Sequence, residues 1–126
     1  MITGEIVDGR VMLPVNFFLT GETFLSISCV INTGFNDYLT LPPQAVALMN
    51  LPLHTATQVR LADGSQALIP IHLARIEWNN RQELVQVLAT GTKPLLGTAL
   101  LQGFRLTVEF AEDGIVKIEE MDSIKR

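Results

Sequence analysis

Apolar and polar residues alternate with a period of two along most of the chain. In Leu25-Ser26-Ile27-Ser28-Cys29 the odd positions are apolar and the even ones polar, and from Phe104 to Phe110 the alternation is strict. This spacing puts one face of a strand in a core and the other in water. Residues 67–78, ALIPIHLARIEW, carry apolar Ile69, Ile71 and Leu73, then slip by one position to Ile76 and Trp78. The slip predicts a long strand with a β-bulge or bend near Ala74-Arg75. Ala62-Asp63-Gly64-Ser65 separates Val59-Arg60-Leu61 from that strand, and Asp-Gly between β-rich runs predicts a hairpin. Glu112-Asp113-Gly114 predicts another between 104–110 and 115–119.

Only two short helices are predicted. Residues 42–49 open on proline, continue in good helix formers and stop at Asn50 and Pro52. Residues 98–102 have Thr98 as N-cap and Gly103 as the C-terminal stop. No linker, low-complexity tract or internal repeat interrupts 126 residues, so a single domain over 1–126 is expected. The fold class expected is all-β, a closed or nearly closed barrel with one or two short helices.

Composition narrows the function. The chain is 48% hydrophobic and only 17% charged, a surplus that points to apolar surface covered by a partner subunit. A net charge of −4 without any Lys/Arg cluster argues against nucleic-acid binding. The apolar runs are too short for a membrane helix, so no membrane partner is expected. The opening MITGEIVDG has no signal-peptide pattern, and Cys29 is the single cysteine, which excludes an internal disulfide. A cytoplasmic location is the expectation. Cys29 lies on the apolar face of its strand and reads as a small buried hydrophobe.

Candidate chemistry is sparse. His54 and His72 have no Cys or carboxylate at metal-ligand spacing, and HExxH and GxSxG are both absent. No metal and no cofactor is expected. Gly91-Thr92-Lys93 has neither the spacing nor the following helix of a phosphate loop. Two stretches remain: Val30-Ile31-Asn32-Thr33-Gly34, which leads past a polar turn to Leu39-Thr40-Leu41-Pro42, and Pro94-Leu95-Leu96-Gly97-Thr98-Ala99-Leu100-Leu101.

Taken together, in this order and with the Ala62–Ser65 hairpin between them, these stretches resemble the retropepsin-like (clan AA) aspartic proteases. The likeness covers most of the chain and is greatest to the short bacterial members. In that family an apolar pair precedes Asp-Thr/Ser-Gly, a flap hairpin follows, and apolar-apolar-Gly runs into a short helix. The resemblance implies an acid-protease barrel with one lobe per chain, two of which form a homodimer with one catalytic loop from each. It places Asn32 at the catalytic aspartate position, Thr33 at the position that locks the two loops and Gly34 at the close approach to substrate. Asn36 and Asp37 would flank the substrate backbone, and Ala62, Asp63, Gly64 and Ser65 would form the flap over a peptide or protein substrate. Leu95, Leu96 and Gly97 would support the loop from beneath.

The departure is at Asn32. A carboxamide has nearly the shape of a carboxylate, but it does not titrate in this range and is no general base. Asp37 would project toward the rim rather than replace it. Asn32 fits either an Asp→Asn change made to stop cleavage or a natural pseudoprotease that binds peptide without cutting. The chain as it stands is expected to be inactive.

Overall fold

The alternating segments form ten strands, in a computed structural model that describes residues 1–21 and 23–122. In chain order they are β1 (Ile2–Val7), β2 (Arg10–Phe18), β3 (Phe24–Ile31), β4 (Leu39–Leu41), β5 (Leu53–Arg60), β6 (Gln66–Trp78), β7 (Arg81–Ala89), β8 (Leu95–Leu96), β9 (Phe104–Val108) and β10 (Val116–Glu120). One α-helix, α1 (Pro43–Leu48), follows β4, and a 3-10 helix, Thr98–Leu101, follows β8. The fold is all-β, in one lobe.

The strands hydrogen-bond in the order β5-β6-β7-β4-β8-β3-β2-β1-β10-β9, with β6 also pairing β2. That extra pairing joins β2, β3, β8, β4, β7 and β6 into a closed circuit of neighbours. Its interior is filled from alternate positions: Leu13, Val15 and Phe17 of β2, Leu39 and Leu41 of β4, Ile76 and Trp78 of β6, and Val85 and Val87 of β7 are all buried. Burying a side chain the size of Phe17 contributes about 1.5–3 kcal/mol. Trp78 packs edge-on to Phe104 with ring centroids 5.8 Å apart, which ties the β1-β10-β9 extension to the circuit.

The expected bulge near Ala74-Arg75 is absent. The β6–β7 register runs unbroken from Ile71↔Leu88 to Trp78↔Arg81. The apolar slip has another cause, because β6 changes neighbours along its length. It pairs β5 from Gln66 to His72, then β2 from Arg75 to Glu77. Ile71 is therefore covered on one face of the strand and Ala74, Ile76 and Trp78 on the other. The irregularity that does occur in this region falls in β5, between Leu53 and Thr55.

Beyond the circuit the β5–β6 hairpin continues as an arm. Only Thr57, Val59, Ala67 and Ile69 are half-buried there, and its tip is exposed. The helix α1 starts at the proline end as expected and stops where Asn50 adopts φ 53°. The second helix is 3-10 rather than α, and Thr98 does not cap it. Gly97 takes the N-cap position in extended backbone, φ −102°. No helix among the described residues is long and apolar enough to cross a membrane.

Cys29 is fully buried in β3, and desolvation pushes its thiol up to about 12. The native chain is expected to resist a thiol reagent at pH 8 and to react at once in denaturant. Because the folded-state pKa lies above the unfolded one, stability is unaffected below pH 9 and falls as the pH rises from about 9 toward about 12. A Cys29→Ala chain that lost stability equally over that alkaline range would contradict this assignment.

Candidate functional site

The Asn32 loop begins where β3 runs out against β8. Val30 and Ile31 pair in parallel with Leu95 and Leu96, and the Asn32 N–H continues the ladder to the Leu96 carbonyl at 2.9 Å. A turn follows, closed by the Phe35 N–H on the Asn32 carbonyl at 3.1 Å. The Asn32 side-chain Oδ1 accepts the Gly34 N–H at 2.9 Å, so the residue holds its own turn as an Asx turn does. Asn32, Thr33 and Gly34 are exposed. The Thr33 hydroxyl has no hydrogen-bond partner among the described residues.

The second half of the loop rests on the segment after β8. The Gly97 N–H donates to the Tyr38 carbonyl at 2.9 Å, Thr98 N–H to the Phe35 carbonyl at 2.8 Å and Ala99 N–H to the Asp37 carbonyl at 3.2 Å. The Thr98 hydroxyl reaches Asn36 Oδ1 at 3.5 Å, the long limit of such a bond. Gly97 has no room for a side chain: a Cβ there would overlap the Asp37 carbonyl oxygen and lie 2.6 Å from both the Phe35 carbonyl oxygen and its ring. Asn32 is thus bonded to Leu96, Asn36 to Thr98 and Asp37 to Ala99, with Asp37 also against Gly97, while Thr33 and Gly34 make no bond to residues 95–97 among the described residues.

Ala62, Asp63, Gly64 and Ser65 stand apart from this cluster at the tip of the arm. Leu61 N–H bonds the Ser65 carbonyl at 2.8 Å and Gly64 N–H bonds the Leu61 carbonyl at 3.0 Å, with Gly64 at φ +86°. The Asp63 carboxylate accepts the Ser65 hydroxyl and the Ser65 N–H. Among the described residues these bonds all stay inside the turn and none reaches the 32–38 loop.

The Ser65 hydroxyl, and then its N–H, hold the Asp63 carboxyl below its ordinary range. A depressed folded-state pKa means the turn keeps these bonds above the ordinary carboxyl range and loses them as pH falls through the lowered value. Ser65→Ala is expected to return the Asp63 titration toward ordinary values in a carboxyl NMR titration. An unchanged midpoint would show that the hydroxyl is not the cause.

Some parts of the site were not singled out from sequence. Phe35, Tyr38 and Ala99 hold the loop through backbone atoms, which every residue type carries alike, and Thr98 adds its hydroxyl to its N–H. A lateral row of paired residues also runs from the loop to the arm: Val30, Leu95, Thr40, Leu88, Ile71 and Thr55. Directly paired residues share a face of the sheet. Thr40, Leu88 and Ile71 are buried there, although Leu88 and Ile71 lie outside the main core cluster. The only signal in the sequence is the apolar slip in β6. Among the described residues no group of three or more His, Cys, Asp or Glu side chains is placed to hold a metal ion.

No family model matches the chain, and no curated protein does. Among solved structures, the crystal structure of a retropepsin-like aspartic protease from Rickettsia conorii is similar, with 17% sequence identity over 95% of this chain and 94% of that one, at a TM-score of 0.49.

Proposed function

We propose that this chain is a retropepsin-like aspartic endopeptidase scaffold, acting as a homodimer on extended peptide segments, with Asn32 in the water-activating position. The observation that carries the reading is the interlock of residues 32–38 with residues 95–99, two stretches singled out by their resemblance to the family's loop and its support. The chain supplies one such loop, so a second copy would bring the other. The exposed Thr33 hydroxyl, without a partner among the described residues, would bond across to that copy.

In the intact form two Asp carboxylates would share one proton, because like charges so close cannot both ionise. One would take a proton from water while the other gives one to the scissile carbonyl. With Asn32 in both subunits neither step is available. Peptide would lie extended between the Asn32 loop and the Ala62–Ser65 flap, held by main-chain bonds in the manner of strand addition. The likeness to the family favours hydrophobic side chains beside the cut. A cytoplasmic setting belongs to the same reading.

A second reading, a peptide-binding or assembly module that does not cut, is favoured by one observation. The Asx bond from Gly34 to Asn32 preserves the turn without any carboxylate. Peptide cleavage by an Asn32→Asp chain separates the two. A folded, dimeric Asn32→Asp chain that cuts no peptide at mildly acidic pH would leave only the binding module.

A further inference from the structure

We infer that the Asp8-Gly9 step is a site of spontaneous covalent modification, where the chain rearranges to isoaspartate ahead of its other Asp-Gly steps. In this reaction the glycine amide nitrogen attacks the aspartate Cγ. A C–N bond forms, the amide proton leaves with the carboxyl hydroxyl as water, and a five-membered imide closes. Water then opens the imide at either carbonyl. Opening at the former main-chain carbonyl leaves the chain running through the aspartate Cβ, with a free α-carboxylate. No atom is gained or lost overall.

The sequence offers three such steps, Asp8-Gly9, Asp63-Gly64 and Asp113-Gly114. In each the attacking nitrogen belongs to glycine, which sets no side chain in the way. Residue type therefore does not rank them, and hydrogen bonding does. The Gly64 N–H donates to the Leu61 carbonyl at 3.0 Å, and the Gly114 N–H to the Ala111 carbonyl at 2.9 Å. Either bond must break before the nitrogen can turn to the side chain. The Asp63 carboxylate also accepts the Ser65 N–H and the Ser65 hydroxyl. Those two bonds favour the ionised carboxylate, which is the unreactive form. At Asp8-Gly9 neither the carboxyl nor the glycine N–H has a hydrogen-bond partner among the described residues. A hydrogen bond is worth roughly two- to tenfold in an equilibrium. One such bond holds back Asp113 and three hold back Asp63, so the order is Asp8, then Asp113, then Asp63.

Asp8 and Gly9 are exposed and make the two-residue turn between Val7 of β1 and Arg10 of β2, at φ 50° and 76°. A turn this tight matches the twist of the strands it joins. The rearrangement adds a backbone atom to it and so breaks the Val7–Arg10 pairing at the end of the hairpin. It involves no residue of the Asn32 loop and does not depend on the proposed cleavage.

Trypsin places the three steps in separate peptides, residues 1–10, 61–75 and 106–117, each with a single aspartate. The chain as it stands is kept warm at neutral pH for weeks and digested. Electron-transfer fragmentation then tells isoaspartate from aspartate in each peptide. Isoaspartate is expected first in 1–10, later in 106–117 and last in 61–75. In a chain held in guanidinium chloride the three should come level, because the hydrogen bonds are gone. Isoaspartate at Asp63 or Asp113 as early as at Asp8 in the native chain would overturn the assignment. So would an order that persists in denaturant, or an Asp8 that isomerises only there.

Discussion

An Asn32→Asp chain is expected to cleave peptides at least about 10²–10⁴-fold faster than the chain as it stands, the usual worth of general acid–base catalysis. The substitution exchanges an amide for a carboxylate of nearly the same shape. Asp Oδ1 can still accept the Gly34 N–H, now 2.9 Å from the Asn32 oxygen, so the turn should survive intact. The activity should be bell-shaped in pH, because one carboxyl of the pair must be ionised and the other protonated. Model carboxyl values near 4 put the maximum on the acid side of neutrality.

The same substitution makes a second readout. As pH rises, both carboxylates of the Asn32→Asp dimer ionise and repel each other, and the dimer should weaken. The Asn32 chain has no charge at that place and should not show this weakening. Sedimentation of both forms from about pH 4 to pH 8 measures the difference. Identical pH dependence in the two would mean that no dyad forms between subunits.

Gly97→Ala is expected to destabilise the chain by about 1–3 kcal/mol, the range for overfilling a packed site. For a domain of 126 residues each kcal/mol lowers Tm by roughly 4 °C. The cause is steric: at φ −102° Gly97 has an ordinary backbone, and it is space that is lacking. An added methyl would press on the Asp37 and Phe35 carbonyl oxygens, the acceptors of the Ala99 and Thr98 N–H groups. The loop would have to lift off its support. Gly34→Ala is the contrast, since its Cβ would meet only Asn32 Oδ1, at 3.2 Å. Calorimetry of the two variants checks the pair. A Gly97→Ala chain that melts with the native one would mean that the 95–99 segment does not hold the loop.

Much of the fold was legible in the residue pattern because strand alternation and turn chemistry are local. Asp63-Gly64 predicted a hairpin, and Gly64 takes the positive φ that such a turn needs. Pro43 predicted the start of α1, and Pro stands in its first turn. The mistaken bulge in β6 came from the same local rule. Alternation reports which face is covered, and it cannot distinguish a kink from a change of neighbour. Capping is a local use of Thr, and the sequence predicts Thr98 as a helix cap. Its hydroxyl is instead turned to Asn36, 62 positions away.

By itself, then, the sequence determined the all-β character, the turns and the two stretches that meet at the candidate site. These depend on residue types within a few positions of one another. Tertiary structure alone decided that residues 35–38 rest on the amides of 97–99, that Gly97 has no space for a methyl, and that six strands contribute one lateral row between loop and arm. Those features are made by backbone groups and by register between distant strands. Every residue carries the same amide, and a shift of one position exchanges the two faces.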